Sequence, residues 1–141
     1  PEGQALISFV ARMTALRARY AVLKSPYFLH GREEPAEGVA DIAWFDPSGE
    51  IVSTDSWNDP EERRLVLRRA GPNADGSVTI LTAFFNASAD EHVFRLPPPR
   101  WPTRIVLDSG SPEAPERDLE GEEIMVGPRS VVLALSTRAG A

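Results

Sequence analysis

At 141 residues with 42% hydrophobic content, the chain is long enough for one domain with a real core. Its net charge of −6, with acidic and basic residues interspersed, argues against a nucleic-acid or anionic-membrane surface, and no apolar run approaches the ~20 residues of a membrane span. The absence of cysteine excludes a disulfide framework and thiolate chemistry, and points to the cytoplasm. Thirteen prolines favour short strands and rigid connections over helices. The opening Pro-Glu-Gly-Gln carries neither an initiator Met nor a signal peptide, so the expectation is a piece of a longer chain.

Gln4–Leu23 predicts a helix. Leu6, Phe9, Val10, Met13, Leu16 and Tyr20 recur at spacings of three and four, and Ile7, Ala11, Ala15, Ala18 and Val22 form a second stripe of mostly small residues. The clearly polar arc is narrow, chiefly Ser8, Arg12 and Arg19. Two stripes predict a helix packed on both sides, with a neighbouring domain on the second; the alternative is one generous amphipathic face plus helix-favouring alanines. Ser25-Pro26 ends the helix, because the residue before proline is pushed toward extended geometry.

Short strands follow. Tyr27–His30 predicts one, closed by Gly31, and after the polar loop 32–38 comes Val39–Phe45. Asp46-Pro47-Ser48-Gly49 is a strong turn signal, with Glu50–Ser53 as the return strand. Trp57 falls in a polar loop, and the following Asp59-Pro60-Glu61-Glu62 suits the opening of a helical turn. Arg64–Ala70 predicts a strand with Leu65 and Leu67 on one face and arginines flanking it.

In 78–85 both alternating faces are apolar, as in a strand buried on both sides, and His92–Leu96 reads as its antiparallel neighbour before Pro97-Pro98-Pro99 stops it. Thr103–Asp108 is a strand, and Ser109–Glu122, poor in apolar residues, is the expected mobile loop. Glu123–Val126 and Ser130–Ser136 make a closing pair around Gly127-Pro128, the latter a second central strand. The sum is a mainly β chain, an antiparallel β-sandwich of about eight strands preceded by one α-helix.

Little in this chain resembles catalytic machinery. The two histidines, His30 and His92, lie far apart with no cysteine, which argues against a transition-metal site. Ser48 and Ser130 lack any nucleophile-elbow surroundings. Glycoside hydrolysis uses paired carboxylates, but Glu33-Glu34, Glu61-Glu62 and Glu122-Glu123 sit in loops or at strand edges where nothing predicts the burial that shifts a pKa. The aromatics remain. Trp44 and Trp101 lie in or beside strands, and core or edge packing is expected for both. Trp57, with Asp55 beside it, has three open readings: docking on an absent neighbour, packing over the sheet edge, or touching a sugar through its flat face.

The order of features resembles the C-terminal region of bacterial glycogen debranching enzymes, the isoamylase-like branch of the α-amylase superfamily (glycoside hydrolase family 13). Four passages carry the resemblance: Leu6-Ile7 ahead of Arg12, Leu16 and Arg17, then Phe28-Leu29-x-Gly31; Asp41-Ile42-Ala43-Trp44-Phe45-x-Pro47-x-Gly49 followed by Asp55-x-Trp57; Phe85-Asn86-Ala87 with Phe94-x-Leu96-Pro97; and Trp101 through Val106-Leu107-Asp108, with Pro128-Arg129-Ser130-Val131-Val132-Leu133. Where that family often has His-Pro after the helix arginine, this chain reads Tyr20-Ala21.

The resemblance implies that residues 1–24 are the last helix of a missing TIM barrel and 25–141 a C-terminal antiparallel β-sandwich. It places the catalytic Asp, Glu and second Asp on the upstream barrel, so this chain carries no catalytic residue and needs no cofactor or metal. The implied partner is that barrel, with Phe9, Met13, Leu16, Tyr20 and Trp57 as interdomain contacts. The parent hydrolyses α-1,6 branch linkages in glycogen or limit dextrin. The alternative is a free-standing glucan-binding or docking sandwich, with Trp57 and Asp55 touching the α-glucan; the oligomeric state is left open.

Overall fold

The computed structural model describes residues 2–140. It opens with helix α1 (Glu2–Arg19) and a single 3-10 turn at Ala21–Leu23, followed by strand β1 (Ile42–Phe45), the short helix α2 (Thr54–Asn58) and strands β2 (Arg64–Pro72) and β3 (Val78–Asn86). The remaining strands are β4 (His92–Arg95), β5 (Thr103–Asp108), β6 (Arg117–Asp118), β7 (Glu123–Val126) and β8 (Ser130–Arg138). Six strands form one antiparallel sheet in the order β1-β2-β3-β8-β5-β6, and β4 pairs with β7 in a second. The chain is mainly β, with two antiparallel sheets that do not close into a barrel.

The core lies between the sheets. Val66, Phe84, Ile105, Val132 and Ala134 from the large sheet meet Phe94, Ile124 and Val126 from the small one, with Phe45 and Leu96 completing the cluster. Phe84 and Phe94 pack edge to face with centroids 5.9 Å apart. β3 is buried along both faces as its two apolar alternations require, and β8 beside it is the second central strand.

Two pairings differ from expectation. β4 is not the neighbour of β3, nor is β7 the neighbour of β8; β4 and β7 pair with each other across the core. The cause is Asn86 at the end of β3, which is 2% exposed. Its Nδ2 donates to the carbonyls of Asp90 (2.8 Å), Val126 (3.2 Å) and Gly127 (2.9 Å), and its Oδ1 accepts from the Ser88 N–H and hydroxyl. This side chain turns the corner and fixes the second sheet to the first.

Tyr27–His30 is not a strand. The N–H groups of His30 and Gly31 donate to the buried Asp41 carboxylate instead of to a sheet, at 3.1 and 2.8 Å, and Ile42 N–H adds a third bond at 3.0 Å. Replacing Asp41 with alanine strands these donors, so the expected cost is about 1–3 kcal/mol. Faster amide exchange at His30 and Gly31 than elsewhere in the chain checks it, and unchanged protection there refutes it.

The return strand at Glu50–Ser53 reduces to a single bridge from Phe45 to Ile51, because Ser53 already caps α2. Gly49 in the preceding turn has φ +87°, and any Cβ there would sit 3.2 Å from the Arg95 carbonyl, so glycine is required where the turn meets β4. Ser109–Glu122 also holds more order than expected, since β6 pairs with β5 and Arg104 bridges to Glu116 and Asp118.

On β2 the inner face is Val66, Arg68 and Ala70, not Leu65 and Leu67, which are half-buried on the outer face. Arg68 is 5% exposed; its guanidinium stacks over the Phe45 ring at 4.7 Å and donates to the Pro98 carbonyl. Burial pushes its pKa down.

Candidate functional site

Helix α1 packs only part of its first stripe, together with Val22 of the second. Leu16 is buried with Val22, Leu81, Val106, Leu107 and Leu135, and Phe9 and Tyr20 pack at the rim of that cluster. These three residues, read from the sequence as contacts with another domain, touch the chain's own sheet, Leu16 fully and Phe9 and Tyr20 in part. Met13 stays exposed, together with Leu6, Ile7 and Val10. Arg12, expected in the solvent-facing arc, clamps the helix down. A register shift between Ile105 and Leu107 frees the Val106 carbonyl from the ladder, and Arg12 Nη2 donates to it at 3.0 Å. Its Nη1 donates to the Ala114 carbonyl at 2.7 Å.

The segment after the helix lines a cavity of about 750 Å³ with Val22, Leu29, His30, Asp41 and Arg69 among its walls. Tyr27 and Phe28 stand on its rim, Phe28 99% exposed. Glu33 and Glu34 also face this cavity.

Trp57 sits in α2, not in a loop. Ser53 caps the helix, its hydroxyl accepting from Ser56 N–H at 3.1 Å, and the backbone N–H of Asp59 closes it on the Ser56 carbonyl. Trp57 is 56% exposed, and its ring stands edge-on to the Trp44 ring, centroids 5.7 Å apart and planes 65° apart. It borders two cavities of about 420 and 410 Å³. The first includes Leu65, Phe85, Asp46, Asp59 and Arg63; the second includes Ala43, Trp44 and Ile51. Asp55 lies exposed in the first turn of α2 and lines neither cavity.

In each of the pairs Glu61-Glu62 and Glu122-Glu123, one member is taken up locally. Glu62 accepts from Nε and Nη2 of Arg64, at 2.9 and 3.1 Å, and this partner holds its carboxyl below the usual glutamate range. Glu122 lies 3.3 Å from Arg100 and 3.8 Å from Arg95. His92 is half-buried in β4, and His30 Nδ1 accepts from the Arg32 N–H. Among the described residues no group of three or more His, Asp or Glu is placed to hold a metal ion, and no helix is long and apolar enough to cross a membrane.

Sequence reasoning missed Asp41 and Asn86 as anchors. The available signals were an acid opening an otherwise apolar strand and an asparagine ending one. Geometry therefore defines a two-sheet β-domain with one half-covered helix and an exposed paired-tryptophan surface. No protein-family model and no curated protein matches the chain.

Proposed function

We propose that this chain is the non-catalytic C-terminal β-domain of a glycogen debranching enzyme, and that it works by covering and steadying that enzyme's barrel. The observation that carries this reading is the uncovered apolar flank of α1, where Leu6, Ile7, Val10 and Met13 face solvent beside the packed line of Phe9, Leu16 and Tyr20 on the same helix. Exposed apolar area of this kind gains roughly 25 cal/mol per Å2 on burial. Tyr27 and Phe28, a few residues beyond the helix, add aromatic area of the same kind. The sequence resemblance names the partner as the chain's own upstream barrel, in the cytoplasm, and places hydrolysis of α-1,6 branch linkages there. In this reading the chain itself hydrolyses nothing.

The test has two stages. The coding sequence upstream of residue 1 is expected to encode an α/β barrel bearing an aspartate nucleophile, a glutamate acid/base and a second aspartate. In that full protein, Ile7→Glu combined with Val10→Glu is expected to lower the melting temperature and soluble yield while leaving the preference for α-1,6 over α-1,4 bonds unchanged. A start codon directly before the chain, or a doubly substituted enzyme that melts like the parent, overturns the proposal.

A further inference from the structure

We infer that the cavity between the segment after α1 and the C-terminal end of β2 binds a small zwitterion, an ammonium group and a carboxylate joined by an apolar spacer. None of the groups that line it belongs to α1, so this site goes beyond the docking reading and does not rest on it.

The cavity holds about 750 Å³, within the range that takes a small ligand, and its walls are mostly apolar, with Val22, Leu29, Pro35 and Ala70 among them. Four charged groups line it: Glu33, Glu34, Asp41 and Arg69. Asp41 is already used, its two oxygens accepting the N–H groups of His30, Gly31 and Ile42. That leaves two carboxylates and one guanidinium. The fold brings them to one place. Asp41 N–H donates to the Glu33 carbonyl at 2.8 Å, and the next residue, Ile42, stands opposite Arg69 in the β1–β2 ladder.

The strongest pointer to a ligand is Arg69. Its Nε is sealed from solvent and has no hydrogen-bond partner. Arg68 beside it shares an unpartnered Nε, but sets its guanidinium over the Phe45 ring and donates to the Pro98 carbonyl. Among the described residues Arg69 has neither an ion pair nor a ring beneath it. A donor held in apolar surroundings without an acceptor is costly, and a ligand carboxylate removes that cost. Glu33 and Glu34 have no ion pair among the described residues either, and two adjacent carboxylates attract a cation. Tyr27 and Phe28 at the mouth favour an organic one.

The alternatives each fail one end. A fatty acid satisfies Arg69 but meets both glutamates. An alkylamine satisfies the glutamates and leaves the Arg69 Nε without an acceptor. A zwitterion with an apolar spacer answers both ends and the walls between them.

The experiment is calorimetric titration of this chain with γ-aminobutyrate and ε-aminocaproate, which differ in spacer length, and with hexylamine and hexanoate, which carry one charge each. At least one zwitterion is expected to bind saturably, about tenfold or more tighter than either singly charged probe. The amide NMR signals of Gly31, Ala70 and Gly71 should move with it, while those of β4 and β7 stay in place. Arg69→Met keeps the apolar stem and should bring zwitterion binding down to the level of hexylamine. Glu33→Gln combined with Glu34→Gln should bring it down to the level of hexanoate. Circular dichroism confirms folding, and if the arginine variant does not fold, the glutamate variant and the ranking of probes on the parent chain still decide. The proposal is overturned if neither zwitterion binds at millimolar concentration, or if either folded variant binds as the parent does. Hexylamine or hexanoate binding as tightly as the better zwitterion overturns it in favour of a plain cation or anion site.

Discussion

Replacing Phe84 with alanine is expected to destabilise the domain by about 3–5 kcal/mol, the range for deleting a fully buried ring whose cavity cannot collapse. Phe84 is 0% exposed and sits at the centre of the inter-sheet cluster, edge-on to Phe94. Its neighbours come from β2, β8 and the second sheet, so no single loop movement fills the gap. A small domain holds only about 5–15 kcal/mol in total, which makes this single change a large fraction of its stability. The control lies one residue on. Phe85 points to the opposite face and is only partly buried, so Phe85→Ala should cost well under half as much. Equilibrium unfolding in urea checks both: the Phe84 variant should shift the midpoint strongly with an unchanged slope. Equal effects from the two substitutions would place the core elsewhere.

Asn86 carries the second large effect, for a polar reason. Its amide nitrogen meets three carbonyls, two of them at Val126 and Gly127 where β7 ends. Alanine leaves buried acceptors without a donor, at an expected cost of about 2–4 kcal/mol. Asn86→Asp is nearly identical in shape yet turns a donor into an acceptor facing those same carbonyls, and is expected to cost more than alanine. Urea unfolding ranks the two variants, and amide exchange should accelerate first in β4 and β7. If aspartate proves the milder change, the side chain acts by filling space and not by its hydrogen bonds.

These two neighbouring residues also show what could be read in advance. The doubly apolar alternation of 78–85 identifies a strand buried on both faces, and that is what β3 is. Alternation specifies faces, however, and not partners. The short connection after Asn86 looks like a hairpin because loop length is the only local clue to pairing, whereas the actual pairing is decided by bonds to Val126 and Gly127, far along the chain. β2 is legible as a strand, but its buried face is not, for a related reason: both of its faces carry aliphatic residues, and the buried one is marked by Arg68, whose guanidinium is accommodated by the Phe45 ring and the Pro98 carbonyl. The surface of the candidate site was half legible. Trp57 stood out as an aromatic in a polar stretch, but its pairing with Trp44 depends on α2, a five-residue helix set by the Ser53 cap. Asp55, adjacent in sequence, is carried away from both cavities by that same helix turn.

The central position of β3 bears on how the chain is made. β2 precedes it and pairs with it across the short loop 73–77, so one edge is covered as soon as β3 emerges, but the other edge waits for β8, whose ladder runs from Asn86–Ser130 to Val78–Arg138. During synthesis from the N-terminus, the most apolar strand therefore emerges with an open edge well before its partner exists. Sequence-distant pairings of this kind form slowly, and an unpaired apolar strand is a template for intermolecular pairing. Chains that stop short of Ser130 keep that edge permanently, so premature termination or proteolytic loss of the last strand would convert the domain's best-buried element into its principal aggregation hazard.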